Sequence, residues 1–216
     1  MLERLRVGPI GENAYVLPGG ASGSCILVDP GDEAARILAF LDSRSLLPAC
    51  IVATHGHLDH CAAIPELLAA WASRGLRVSV AVHAADAGYF GERGESTNRA
   101  LFSAINALGY FKSYWRPLPE ADSLLAEGEL LPGGAWRVIH TPGHTRGSIC
   151  LHHEAARLLV SGDTLFQGGV GRTDGPDASA EELARSLETL FVLPPETRVF
   201  PGHGEPTTIG EERGPR

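Results

Sequence analysis

The 216-residue sequence has no Cys-x-x-Cys pair. Its four cysteines, Cys25, Cys50, Cys61 and Cys150, are scattered, which excludes a dense disulfide framework and fits reduced thiols. Cys25, Cys50 and Cys150 each lie in an apolar run and are expected to be buried as small apolar residues. No apolar run approaches the ~20 residues of a membrane span, so no membrane association is expected. The opening stretch, MLERLRVGPIGENAYVL, lacks the apolar core of a signal peptide, and a cytoplasmic location is the expectation. Positive charge is scarce: 18 Lys and Arg stand against 26 Asp and Glu, a formal net charge of -8. Such a chain has no bulk attraction for nucleic acid.

What is present is ordinary globular composition, with 44% hydrophobic and 20% charged residues. The length predicts one domain over 1–216. AYVL and SCILVD read as strands separated by the Gly-rich PGGASGS. The segment DPGDEAARILAFLDSR predicts a turn and then a helix with Ala35, Leu38, Ala39 and Leu41 toward one side. ACIVAT is a buried strand by composition. Pro65 is tolerated only in a first helical turn, so the next helix is predicted to begin near Cys61 and stop near Gly75. RVSVAVH is the next strand. Residues 84–128 break the rhythm with a helical, aromatic-rich excursion. It is read as packing on the core, with a lid or subunit contact as the sharper alternative. AWRVIH, SICLHH, RLLVSGD and TRVF restore strands. SAEELARSLETLFVL is a helix with Ser179 and Glu182 in capping-box register.

The chemistry concentrates in THGHLDH, residues 54–60. His55 and His57 stand at i and i+2 on extended backbone, so both can grip one ion from a strand end. Asp59 and His60 follow at the turn into a helix. Imidazole nitrogen and carboxylate oxygen suit zinc, manganese or iron. One cluster does not fill two metal shells. His144 in HTPGHTRGS, Asp163 in VSGDTLF and His203 in FPGHGEP each follow a strand and sit beside glycine. Cys61 is read as a packed thiol, and His83, His140, His152 and His153 as edge or core histidines.

These residues resemble the metallo-β-lactamase superfamily: Asp29 in LVDPGD, THGHLDH, His144 in TPGHT, Asp163 in SGDTLF and His203 in PGHG. GDTLFQGGVGRTD and PGHGEPTTIGEE are most similar to small glyoxalase II-like hydrolases, the hydroxyacylglutathione hydrolase type. The resemblance implies an α/β fold, a four-layer αβ/βα sandwich with metals at one edge of its two sheets. It implies two divalent ions, zinc first, with iron or manganese as alternatives. His55, His57 and His144 would hold one ion, and Asp59, His60 and His203 the other, with Asp163 bridging. A metal-bound hydroxide would attack a thioester such as S-lactoylglutathione, with Asp59 as the catalytic residue that orients it.

Two roles fit Asp29: an acceptor for a ligand histidine or loop amide, or the opening of a turn. Arg172 matches a basic residue that contacts glutathione in glyoxalase II, and it is equally placed to pair with Asp174. Asp174 and Glu205 stand where the family carries aromatics. A persulfide dioxygenase with one iron shares GRTD but tends to lack the final PGHG. A lactone or other ester hydrolase needs the same metals and a different pocket. A small-molecule substrate follows under each reading; the oligomeric state is not legible.

Overall fold

The computed structural model describes residues 2–214. β1 (Glu3–Val7), β2 (Glu12–Pro18) and β3 (Ser24–Val28) form an antiparallel meander. α1 (Ala34–Ser43) crosses to β4 (Leu47–Val52), which pairs in parallel with β3. α2 (Leu58–Cys61) and α3 (Ile64–Ser73) lead to β5 (Ser79–His83). After two short 3-10 turns, α4 (Gly94–Ala104) and α5 (Leu108–Tyr114) lead to β6 (Ser123–Leu125). β5 and β6 are also added in parallel, so the first sheet runs β1-β2-β3-β4-β5-β6.

β7 (Arg137–His140), β8 (Ile149–His153) and β9 (Leu158–Gly162) start a second sheet. A ribbon of β10 (Leu165–Phe166) and β11 (Gly169–Val170) and then α6 (Ala180–Leu190) precede β12 (Arg198–Pro201) and β13 (Thr207–Thr208). The strand order is β13-β12-β9-β8-β7. α7 (Ile209–Glu212) follows.

Strand alternation explains the layering. In β3 and β4, Ile26, Val28, Cys50 and Val52 face the second sheet, where Val138, Ile149, Leu151, Val160 and Phe200 meet them. The intervening Cys25, Leu27 and Ile51 face the opposite way, onto Ile37 and Leu41 of α1 and Leu67 and Trp71 of α3. In the second sheet Cys150, Leu159 and Val199 point outward onto Leu190 of α6. The result is helix, sheet, sheet, helix: the expected αβ/βα sandwich. All four cysteines are free and buried, as their apolar runs predict. No helix among the described residues is long and apolar enough to cross a membrane.

Several local expectations are corrected. α1 buries Ala34, Ile37 and Leu41, while Ala35 and Ala39 are exposed. The helix after THGHLDH is interrupted: α2 ends at Cys61, and α3 begins at Ile64 with Pro65 in its first turn. β1 and β6 carry no clear strand signal, since ERLRV holds two arginines and SLL is three residues long. The excursion is helical only to Tyr114, and residues 123–125 rejoin the first sheet. Ser179 caps α6, its hydroxyl accepting from Glu182 N.

The two ends of the sequence are clasped together. Asn13 N donates to Gly202 O at 2.8 Å. Asn13 Nδ2 donates to Pro201 O and Gly204 O, both at 2.9 Å. Tyr15 Oη donates to Pro201 O at 2.7 Å.

Candidate metal centre

The seven donor side chains converge at the C-terminal ends of strands from both sheets. β4 runs into His55–His60; β7 is followed by His144, β9 by Asp163, and β12 by His203. β9 and β12 pair in parallel with Gly162 opposite Pro201, which sets Asp163 and His203 side by side. Thr54 O accepts from Ile149 N at 2.9 Å, joining the chain just past β4 to the start of β8 and so linking the two sheets. Gly202 is compulsory: a Cβ there would collide with Asp163 Oδ1 and stand 2.6 Å from His60 Cε1.

Four sets of donors could each hold an ion: His55 with His57 and His144; Asp59 with His60 and His203; His55 with His60 and Asp163; and Glu12 with Asp29 and His60. Within each set the ligand atoms lie within 4.8 Å of one another. His144 Nε2 is 3.0 Å from His57 Nδ1, and His203 Nε2 is 3.2 Å from Asp59 Oδ2. Asp163 reaches toward both groups, 3.4 Å from His60 Nε2 and 3.7 Å from His144 Nε2.

The surrounding hydrogen bonds select which atoms face inward. Asp29, at φ 50°, accepts from Thr54 N at 2.7 Å and from Thr54 Oγ1 at 2.6 Å. Its Oδ2 also accepts from His60 Nδ1 at 3.0 Å, which turns His60 Nε2 toward the other donors. Because the Thr54 hydroxyl donates to Asp29, it accepts from His55 Nδ1 at 3.1 Å, which leaves His55 Nε2 a free lone pair. His144 Nδ1 donates to the carbonyl of Arg172 at 2.9 Å. Nε2 of His55, His57 and His60 and Oδ1 of Asp163 are buried with no hydrogen-bond partner in the protein. Buried polar atoms are rarely left so. Three of these atoms, Nε2 of His55 and His60 and Oδ1 of Asp163, belong to residues of one donor set and fit a cation, and the nitrogen and carboxylate donors suit a divalent metal.

The electrostatics agree. Burial holds His55 well below the ordinary histidine value and His57 down to about 3, so both imidazoles are neutral. Burial opposes a charge on His60, but Asp163, Asp59 and Asp29 outweigh it and hold this histidine well above its usual value. Asp59 and Asp163 are held below the usual carboxylate range against their burial, chiefly by His60. The pocket therefore recruits positive charge: a proton on His60 balances carboxylates that a metal would balance.

Arg172 does two things. Its carbonyl fixes His144, and its guanidinium makes a bidentate pair with Asp174, both distances being 2.6 Å. Cys61 donates its thiol to His55 O and belongs to no donor set. His83 and His140 stack on each other at 4.0 Å, away from the donors.

Two buried carboxylates escaped the reading of the sequence. Asp86 joins the two histidine-bearing loops: it accepts from Gly56 N at 2.9 Å, Thr145 Oγ1 at 2.8 Å and Gly147 N at 2.6 Å. Glu12 lies behind His60, Oε1 at 3.8 Å from Nδ1. Burial pushes Glu12 well above its ordinary value. The strand-end criterion that finds the ligands also finds Asp86, three residues past the end of β5.

Above the donors is a cavity of about 360 Å³, walled by Ile10, Leu101, Phe102, Ile105, Ala107 and Tyr110. The helical excursion thus packs on the core through Phe111 and also forms the wall of the cavity.

The sequence model of the metallo-beta-lactamase superfamily matches residues 7–203. The chain belongs to the metallo-β-lactamase superfamily. A hydroxyacylglutathione hydrolase, GloC, of Haemophilus influenzae is 32% identical over 195 residues, 87% of this chain and 83% of the relative. Among solved structures, the B3 metallo-beta-lactamase BLEG-1 superposes with a TM-score of 0.82 at 32% identity, covering 98% of this chain and 96% of the other. TTHA1623, solved in a di-iron-bound form, superposes at 0.79 with 34% identity and the same coverage. This metallo-β-lactamase fold with its histidine and aspartate donors is that of a metallo-hydrolase.

Proposed function

We propose that the protein is a binuclear metal-dependent thioesterase, acting on a substrate of the S-lactoylglutathione type. The observation that carries this is the convergence of unpartnered buried donor atoms of His55, His60 and Asp163 at an apolar cavity. His55, His57 and His144 would hold one ion and Asp59, His60 and His203 the second, with Asp163 within reach of both sets. Divalent ions supply a Lewis acid for the scissile carbonyl and bring the pKa of water toward neutrality. Zinc, iron and manganese all suit the donors, and the di-iron form of TTHA1623 supports iron beside zinc.

The chain's own groups prepare that chemistry. Burial keeps His55 and His57 unprotonated and ready to donate lone pairs. Asp29 and Thr54 fix the tautomers of His60 and His55, and the Arg172 carbonyl fixes His144. Asp59 stays ionised and orients the attacking water by accepting its hydrogen bond. The cavity wall excludes bulk water and seats the substrate. The Haemophilus hydrolase supports a thioester substrate, and the four buried free thiols fit a cytoplasmic setting.

The test is metal analysis of the purified protein beside three assays: thioester hydrolysis, oxygen uptake with glutathione persulfide, and β-lactam hydrolysis. Two metals per chain with thioester hydrolysis is the expected result. One iron with oxygen uptake, or β-lactam turnover alone, overturns it.

A further inference from the structure

The cavity over the donors has an apolar wall and an exposed polar side. Leu101 and Phe102 of α4 are buried, 3% and 6% exposed, and form that wall with the half-buried Ile105, Ala107 and Tyr110. The wall is braced from behind: Phe102 stacks on Tyr110 at 5.6 Å, and Tyr110 on Tyr114 at 4.4 Å. A wall of stacked rings offers a rigid, apolar surface with little entropy left to lose. The polar side is marked by Arg172 and Asp174, both exposed.

Apart from histidines, Arg172 is the one basic side chain that lines this cavity among the described residues. Both nitrogens it turns to Asp174 are engaged in a fork-to-fork pair. The pair has no net charge, so an anionic group arriving at the mouth meets no net attraction. On the far side of His203 the pattern repeats, with Arg4 donating to Glu205 at 2.9 Å.

We propose that the cavity selects thioesters with an apolar acyl chain of several carbons, seated on Leu101, Phe102 and Ile105, and that Asp174 withholds Arg172 from anionic thiol carriers. The proposal rests on the thioesterase reading and moves its substrate away from the S-lactoylglutathione type in both the acyl group and the thiol. The acyl group takes the apolar wall because a bulky, polar thiol carrier needs the exposed side. A chain of this kind reaches a water-excluded surface, whereas the lactoyl hydroxyl finds only the Tyr110 phenol in that wall. The volume lies within the range of small-ligand sites.

The experiment uses the metal-loaded protein with acetyl, butyryl and hexanoyl thioesters of two thiols, N-acetylcysteamine, which is neutral, and glutathione, which is anionic. The expected kcat/KM rises about fourfold per methylene, the worth of burying one CH2 group. The two thiols are expected to differ by less than about threefold, since an exposed, already-paired arginine adds little. Ile105→Ala, at a half-buried position, lowers hexanoyl turnover more than acetyl turnover. Asp174→Asn frees Arg172 and raises the ratio of glutathione to N-acetylcysteamine turnover. Calorimetry of hexanoate against acetate reads the wall without turnover, and hexanoate is expected to bind the tighter.

A flat or falling dependence on chain length, or equal binding of the two carboxylates, overturns the apolar-wall assignment. A strong wild-type preference for glutathione, or no change of the ratio in Asp174→Asn, overturns the role of Asp174. Failure to cleave every thioester overturns the thioesterase reading instead, and the calorimetry still decides whether the wall selects apolar chains.

Discussion

The carboxylate of Asp86 accepts a hydrogen bond from the backbone N–H of Gly56, the residue between His55 and His57, at 2.9 Å. The same carboxylate holds Thr145 and Gly147, beyond His144. One buried side chain therefore sets the distance between the loops that carry three donors. Asp86→Ala leaves two backbone amides and a hydroxyl without their partner and is expected to cost about 3 kcal/mol in denaturant unfolding. Asp86→Asn keeps one acceptor and is expected to fall between. Both are expected to weaken metal binding at the three-histidine set more than at the Asp59 set. Equal loss at both would assign Asp86 a purely structural part.

Asp86 also predicts a pH dependence. Burial pushes its pKa up to about 6, above the ~3.9 of an unfolded aspartate. The folded state therefore binds the proton more tightly, and that stabilisation is complete below about pH 4 and lost as the pH rises through about 6. In metal-free protein, the stability difference between wild type and Asp86→Asn is expected to decline from pH 4 to 6 and then level. Urea unfolding across that window measures it; a difference that climbs with pH contradicts the assignment.

Single substitutions of the donors separate the two ions. His57→Ala is expected to reduce metal content from two toward one, and His203→Ala to do the same for the other ion. Asp163→Ala is expected to weaken both and to lower kcat by a factor of about 100 or more. Mass spectrometry of the native protein gives the stoichiometry directly. Wild-type turnover by His57→Ala or Asp163→Ala is the outcome that removes the centre from the reaction.

Asp29→Asn keeps the size of the side chain but turns one acceptor oxygen into a donor, while Thr54 and His60 both donate to it. Metal affinity is expected to fall about 10- to 100-fold, the usual effect of losing a carboxylate behind a ligand histidine. Competition with a chromophoric chelator reads this. An unchanged affinity would reduce Asp29 to a turn residue.

The donors were legible in the sequence because each is a chemically distinctive side chain directly after an apolar strand. The four layers were legible through the family resemblance, and the continuous apolar runs of β3, β4 and β9 agree with sheets covered on both faces. Asp86 was hidden because two of its three partners are backbone amides, which carry no signal of residue type. Glu12 was hidden because a strand's first residue can face either way until its partners are known. Arg172 drew notice for its guanidinium, yet the contact to His144 is through its carbonyl. The aromatic segment was visible, but which rings face the cavity depends on how α4 and α5 dock. In α1 the apolar residues fit two registers, and packing against α3 chose Ala34, Ile37 and Leu41.

The clasp between Asn13, Tyr15 and residues 201–204 bears on how the protein is made in the cell. The first donor is residue 55 and the last is 203, and the loop bearing the last is docked onto a strand made among the earliest. A chain still emerging from the ribosome can present THGHLDH long before its partners exist. It then offers a weak, exposed chelating segment. The donor set of Asp59, His60 and His203 closes only after residue 203 has been added and has returned to β2. Translation that stops before residue 203 therefore yields polypeptide that holds the His55–His57–His144 donors but cannot complete the set of Asp59, His60 and His203.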